Sequence, residues 1–354
     1  PKGERDFMAG RVKWGVIGVG GIARRRTIPE GLAPASNAEL TAVYDIDMDA
    51  NAQVARQYGA QAASNVEELL AAEVEAVYVA TPAHLHYQQV LTCAAVGKHV
   101  LCEKPLGLTV AEAETIVAVM KQAGLLLGTA FMMRFLAQHQ AARRLIEEGR
   151  LGQPVYGRAQ LSCWYPPIPG AWRQDLALGG GGSLMDMGGH CIDLLEMFFG
   201  PVSKVSCFVS NTVQAFEPED SAVALLWFAS GALGTVDACF SVPDEASKNR
   251  LELYGSRGSI LAEGTIGQGS QGRMVAYLTE AAAGYNAQQA RDAAAGLEIA
   301  PEPVNTYRAE IEEFSAAILE HRPCLVTGED GLRSQKVLAA CYESARTGRV
   351  CEVC

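Results

Sequence analysis

The segment Val16-Ile17-Gly18-Val19-Gly20-Gly21-Ile22-Ala23 constrains the fold more than any other stretch of the chain. It follows a short apolar run, Lys13–Ile17, and precedes a helical pattern, so its glycines stand where a strand must turn sharply into a helix. Gly18 permits the turn and Gly20 lets the backbone approach a pyrophosphate held at the helix N-terminus, with Val19, Gly21 and Ile22 completing the loop. Ala23 takes the third position of the Gly-x-Gly-x-x-Gly pattern, where a small residue packs the helix on the strand. Asp45 ends the next strand, Leu40–Tyr44, 27 residues after Gly18, where a carboxylate accepts hydrogen bonds from the adenosine ribose hydroxyls. That spacing predicts NAD as the cofactor in preference to NADP, whose 2′-phosphate would meet a negative charge. Two alternatives stay open. Asp45 or Asp47 caps the following helix instead, and Arg24-Arg25-Arg26 is either a solvated helix face or a set of guanidinium groups within reach of an anion.

A chain of 354 residues is long for one core and suits two. From Val12 to about Thr129, strands Lys13–Ile17, Leu40–Tyr44, Ala76–Ala80, His99–Cys102 and Leu125–Gly128 alternate with helices such as Met48–Tyr58 and Val110–Ala123. Parallel strands joined by right-handed helical crossovers predict an α/β, doubly wound Rossmann domain over residues 12–133, after a disordered lead-in of residues 1–11. A helix over Phe135–Gly149 is followed by strands Val155–Cys163, Val202–Asn211, Ser221–Phe228, Ala232–Phe240 and Asn249–Tyr254, with turns such as Ser230-Gly231. Residues 134–354 therefore read as an α+β domain for substrate binding and oligomerisation, built on a large, mainly antiparallel sheet and closed by helices Tyr307–His321 and Gly328–Arg346. The stretch Glu263–Pro303, rich in Gly, Ala and Gln, reads as a lid, an oligomer contact or a flexible insertion.

Composition removes several classes of partner. A net charge of -11 argues against binding a nucleic acid backbone, and no run approaches the ~20 apolar residues of a membrane helix. Most of the ten cysteines sit singly inside apolar runs, which reads as buried thiols in a reducing compartment. Cys351 and Cys354 form a Cys-x-x-Cys pair without the second ligand pair a zinc site requires, so no metal is expected. The first seven residues lack a secretory core and carry acidic residues, so the expected location is cytoplasmic.

A second group of residues carries acid–base chemistry. Glu103-Lys104-Pro105 stands at the end of strand His99–Cys102, and ligands of open α/β sheets bind outside the carboxyl ends of strands. Lys104 there is either a substrate-facing cation or one half of an ordinary surface pair. In the second domain the run Gly179–Gly182 leads into Ser183-Leu184-Met185-Asp186-Met187-Gly188-Gly189-His190-Cys191-Ile192-Asp193. With Ser183 as a helix cap, Asp186 and His190 stand four apart on one face and Asp193 continues the stripe. A carboxylate one turn from an imidazole can orient it for general acid–base work, while a lone helical histidine is more often structural.

Taken with Thr81-Pro82 and His86, Arg134-Phe135 and Trp172-Arg173, these motifs make the chain resemble the Gfo/Idh/MocA oxidoreductases, the group of glucose-fructose oxidoreductase and inositol 2-dehydrogenase, from Val12 to about Arg346. The resemblance implies that Lys104, Asp186 and His190 are catalytic. It implies that Thr81, Pro82, His86 and Glu103 line the nicotinamide half of the cleft, so His84 and His86 are not a metal pair. It places Trp172 and Arg173 near cofactor and substrate, and it assigns substrate contacts to Arg134 and Tyr307. The implied activity is hydride transfer between NAD and a hydroxyl-bearing carbon of a sugar, sugar derivative or cyclitol. Two rivals are an NAD-recycling glycosidase or lyase on the same fold and a non-catalytic dinucleotide-binding sensor. A homodimer or homotetramer is expected through the open edge of the second-domain sheet, since strands such as Ala222–Phe228 are apolar on both faces.

Overall fold

The computed structural model describes residues 10–279, 287 and 295–354. Six parallel strands form the first sheet: β1 (Val12–Ile17), β2 (Ala38–Tyr44), β3 (Gln61–Ala62), β4 (Ala76–Val79), β5 (His99–Cys102) and β6 (Leu127–Thr129), in the order β3-β2-β1-β4-β5-β6. Helix Ala23–Leu32 and helices α1 (Met48–Tyr58), α2 (Val66–Ala71), α3 (Ala83–Ala95) and α4 (Val110–Gln122) carry the crossovers. All four residues of β4 are buried, as expected of a parallel strand covered on both faces. The strand order reverses between β1 and β4, so the crevice beyond their carboxyl ends is the switch point where doubly wound sheets bind ligands.

The second sheet has nine strands: β7 (Pro154–Ser162), β8 (Val202–Ser210), β9 (Ser221–Phe228), β10 (Leu233–Cys239), β11 (Arg250–Gly255), β12 (Gly258–Glu263), β13 (Arg273–Leu278), β14 (Gly296–Glu298) and β15 (Cys351–Glu352). Its order is β14-β13-β12-β11-β7-β10-β9-β8-β15, and every neighbouring pair is antiparallel except β7 with β10. Around it stand α5 (Ala137–Glu147), the short α6 (Leu176–Gly179), α7 (Gly189–Phe199), α8 (Thr306–Leu319) and α9 (Gly328–Thr347). α7 and α9 bury one face of the sheet in a core that includes Leu195, Phe199, Leu226, Phe228 and Leu338. α8 instead returns to the first sheet, where Phe314 packs on Trp14 and Trp14 Nε1 donates to Ser315 Oγ at 3.0 Å.

Two expectations change. The helix expected over Phe135–Gly149 is broken at Leu136, which is extended. A 3-10 turn, Met132–Phe135, precedes the break, and His139 and Gln140 bond the carbonyls of Met133 and Arg134 in place of helix amides. The stretch Glu263–Pro303 is no mere connection, because β13 and β14 extend the sheet within it. Gln138 ties its ends by donating to Gly272 O and Ile299 O; residues 280–286 and 288–294 lie outside the described residues, as do residues 1–9 of the expected lead-in. The Cys-x-x-Cys pair begins in edge strand β15, with Cys351 opposite Val205, and no metal-binding cluster occurs among the described residues.

Candidate active site

The cofactor half of the crevice starts at β1. Gly18 adopts φ +92°, and a Cβ there would lie 2.8 Å from the backbone of Ala80 and Thr81, so both conformation and space demand glycine. Asp45 Oδ2 accepts from the amides of Val19 at 2.6 Å and Gly20 at 2.8 Å. Asp47, not Asp45, caps α1, through the amides of Asp49 and Ala50. Asp45 is thus free of helix capping and sits half-buried against the glycine loop, where a ribose would lie. Among the described residues no side chain caps helix Ala23–Leu32, so its first-turn amides are available to an anion. Of the three arginines, Arg24 donates to Gln53, Arg26 pairs with Glu30, and Arg25 is exposed with no partner among the described residues. These groups fit the ribose and pyrophosphate of a dinucleotide.

The chemical half is assembled from both domains. The end of β5 delivers Lys104, whose Nζ donates to Asp186 Oδ1 at 2.6 Å and to Asp186 O at 2.7 Å. Arg173 Nε donates to the same Oδ1 at 3.0 Å, while its guanidinium stacks 4.2 Å from the Trp172 ring. Burial works to raise the Asp186 carboxyl, but Lys104 and Arg173 together outweigh it and hold the group well below the usual carboxylate range. His190 lies one helical turn further on, its ring edge-on to Phe131 with centroids 5.8 Å apart. Burial, reinforced by the Lys104 charge, lowers its pKa to about 3, so the imidazole is neutral. Lys104, Asp186, His190, Arg173 and Trp172 thus converge beside the switch point. Such a set can hold a hydroxyl and move its proton.

A family model described as an oxidoreductase family with NAD-binding Rossmann fold matches residues 12–131, and one described as the GFO/IDH/MocA C-terminal domain matches residues 139–261. The chain belongs to the Gfo/Idh/MocA oxidoreductase family. It is 30% identical to the 1,5-anhydro-D-fructose reductase of Ensifer adhaerens over 96% of this chain and 98% of that one. It is 29% identical to the myo-inositol 2-dehydrogenase of Thermotoga maritima, covering 89% of this chain and 91% of that enzyme. Among solved structures, the aldose-aldose oxidoreductase of Caulobacter crescentus complexed with glycerol superposes with a TM-score of 0.85 at 28% identity, over 97% of this chain and 99% of that one. As a Gfo/Idh/MocA protein the chain is an NAD(P)-dependent oxidoreductase.

Within this Gfo/Idh/MocA site several motif residues stand elsewhere than expected. Ser183 does not cap the helix; its Oγ donates to Ala238 O at 3.1 Å. Glu219 takes that place from another part of the chain, accepting the amides of Gly182 at 3.0 Å and Leu184 at 2.9 Å and the Tyr342 hydroxyl at 2.9 Å. The first turn, Leu184–Gly188, is wide, with Gly189 N bonding back five residues to Leu184 O. That extra residue per turn separates the expected stripe: Asp186 faces Lys104, the His190 ring has no bond to Asp186, and Asp193 turns inward. Arg134, expected at substrate, is buried and bonds Asp193 through Nε and NH2 at 2.6–3.0 Å, with Asp330 3.4 Å away. It ties β6 to α7 and α9. His86, expected to line the cleft, is fully buried behind it, with Nδ1 2.7 Å from Pro105 O and Nε2 2.9 Å from Thr81 O. It braces Thr81-Pro82 and the lysine loop, which themselves reach the surface of the cleft. Tyr307, also expected in the cleft, is buried under the Arg26 guanidinium. Glu103 accepts from the Tyr78 hydroxyl at 2.5 Å below Lys104. Glu219 and Tyr78 carry no local motif; only contacts across the fold reveal them.

Proposed function

We propose that this oxidoreductase moves a hydride between NAD(H) and a hydroxyl-bearing carbon of a sugar, sugar derivative or cyclitol, with Lys104 and His190 handling the hydroxyl proton. The observation that carries this reading is the junction of Lys104, from the cofactor domain, with Asp186 and the neutral His190 from the other domain. The curated relatives act in name on 1,5-anhydro-D-fructose and myo-inositol, which supports a polyhydroxylated substrate.

Bound nicotinamide supplies the site that accepts or gives the hydride. In oxidation His190 takes the hydroxyl proton, for which its neutral ring is ready. Lys104 has two of its three donors on Asp186 and directs the third at the substrate oxygen, stabilising the charge that develops there. Asp186 holds the ammonium in place and Arg173 holds Asp186. Reduction uses the same groups in reverse. Gly18, Gly20 and the uncapped helix Ala23–Leu32 would hold the pyrophosphate and Asp45 the ribose, which supports NAD over NADP. Calorimetric titration with both cofactors tests that preference, and tighter binding of NADP would contradict it. For the activity, a panel of sugars and cyclitols is assayed with each cofactor, following nicotinamide absorbance and aglycone release in parallel. Reduction of NAD without aglycone release is expected; aglycone release without net reduction would favour a cofactor-recycling glycosidase.

Assembly into a homodimer or homotetramer is part of the same proposal. The apolar surface that supports it is the open face of the second sheet rather than its edges, which end in the short strands β14 and β15. Phe208, Val223, Leu225, Trp227 and Leu233 are all about half exposed or more on that face. All ten cysteines are free thiols, which supports a reducing, cytoplasmic setting, and no described helix is long and apolar enough to cross a membrane.

A further inference from the structure

A chain of buried hydroxyls runs beneath the lysine loop, and no sequence motif marks it. Tyr78 stands in β4, fully buried in the core that also holds Val16, Leu101 and Phe314. Its hydroxyl accepts from Thr27 Oγ1 at 3.1 Å and donates to Glu103 Oε1 at 2.5 Å. Thr27, also fully buried, belongs to helix Ala23–Leu32, which begins at the glycine loop. Glu103 N is held on Val79 O at 2.9 Å, and Glu103 Oε2 accepts the amide of Lys104 at 3.3 Å. A hydroxyl has one proton, so with Thr27 as its donor Tyr78 commits that proton to Glu103. Both oxygens of Glu103 then act as acceptors, which suits the ionised form.

The charges of the site balance only when Glu103 is counted. Lys104 and Arg173 both donate to the same oxygen, Asp186 Oδ1, so two cations share one carboxylate. His86 and His190 are neutral, since burial lowers the pKa of each. Around Glu103 stand the thiol of Cys102 and, from α8, Tyr307 and Glu310. Burial pushes all three up, so none of them carries charge, and Glu310 Oε1 has no partner among the described residues. Glu103 is therefore the second negative charge that offsets Lys104 and Arg173. Burial pushes its carboxyl up as well, while Lys104, the Tyr78 hydroxyl and Arg173 act in the opposite sense. Of these three only the hydroxyl can be removed without disturbing a group of the cleft.

We propose that Tyr78 is a positioning residue of the reaction: its hydroxyl, oriented by Thr27, keeps Glu103 ionised and in place as the second counter-charge to Lys104 and Arg173. This rests on the hydride-transfer reading above and deepens it. The oxidised nicotinamide ring carries a positive charge and the reduced ring none. A cleft of balanced charge admits the oxidised ring, whereas one left with a net positive charge disfavours it. Tyr78 thereby biases the site between the two cofactor forms through Glu103. Without the hydroxyl, Glu103 binds its proton more tightly and loses its charge at a higher pH as the solution is acidified.

The test uses Tyr78→Phe, which removes the hydroxyl and keeps the ring, with a melting curve to confirm the fold. The first measurement needs no cofactor: infrared titration of the Glu103 carboxyl, read as the difference between each protein and the same protein carrying Glu103→Gln. The Glu103 midpoint should rise by ~1–2 pH units in Tyr78→Phe, the size of one lost hydrogen bond to a charged group. Thr27→Val, which strips the hydroxyl of its orienting donor, should move the midpoint the same way and decides the matter if Tyr78→Phe does not fold. The second measurement is calorimetric binding of NAD and NADH. NAD affinity should fall in Tyr78→Phe, the more so as pH is lowered, with NADH affinity nearly unchanged. Glu103→Gln should give the same selective loss, and adding Tyr78→Phe to it should cost nothing more. An unmoved midpoint, equal losses for NAD and NADH, or a further loss in the double variant would each overturn the inference. A midpoint that rises in a protein whose wild type binds neither cofactor supports the hold of Tyr78 on Glu103 and counts against the hydride-transfer reading instead.

Discussion

His190 shows how far a residue's chemistry departs from its sequence context. The sequence places a carboxylate one turn away, which suggests an imidazole oriented by it; the wide turn instead sends Asp186 to Lys104 and leaves His190 Nδ1 buried without a partner among the described residues. Burial then keeps the ring neutral, with its pKa lowered to about 3. The sign follows directly. A base must be unprotonated to accept the substrate proton, so kcat/KM for oxidation should stay level as pH falls through the ordinary imidazole value of ~6.5, and decline only toward the lowered one. A pH–rate series showing a limb at ~6–7 that disappears in His190→Ala would contradict this. Lys104, Asp186, Gly18 and Asp45 could be singled out as candidates because each sits in a local pattern with a stated mechanical reason. Glu219 could not be, because its role depends on Gly182 and Leu184, groups from a distant part of the chain.

At the scale of elements, the segment from Leu184 to Phe199 is held by contacts that periodicity does not encode. Its entry is capped by Glu219, and its middle is fixed by Asp193 against Arg134 of the turn after β6 and, through it, Asp330 at the start of α9. The misreading of Arg134 has a physical cause: an arginine beside a cleft motif looks like a ligand-binding group until its partner is seen to be a buried carboxylate. Replacing it distinguishes the two roles. Arg134→Met strands Asp193 in the interior and should lower unfolding free energy by ~3–5 kcal/mol in denaturant titration. A variant as stable as wild type but with a raised KM would restore Arg134 to the substrate. Among elements, β1, β2, β4, β5, α1 and α4 were legible from apolar runs and helical patterns, with Asp47 as a cap for α1; the capping box of Thr109 on α4 appears only in the structure. β13 and β14 were not, because their pairing partners are β12 and each other rather than a pattern of their own.

For the whole molecule, the two-domain plan was legible from the change of texture near residue 134, while the course of the chain was not. α8 covers the first sheet although it follows the second in sequence, since Phe314 and Ser315 complete the surroundings of Trp14. The second sheet exposes Phe208, Val223, Leu225, Trp227 and Leu233 together on one face, and clustered exposed apolar residues mark contact surfaces. Light scattering should give a particle at least twice the 37.7 kDa chain mass, and Trp227→Glu, which puts a charge in the middle of that face, should shift it toward the monomer. A wild type at the chain mass at micromolar concentration would remove the assembly from the account. The central claim is that a lysine of one domain and a histidine of the other act on one proton, and the double-mutant cycle tests it most directly. Lys104→Ala and His190→Ala should each lower kcat by ~10²–10⁴ with NAD affinity nearly unchanged. The double variant should lose far less than the product of the two, as groups acting as a unit do. Near-normal turnover in both single variants, or losses that multiply in full, would contradict it.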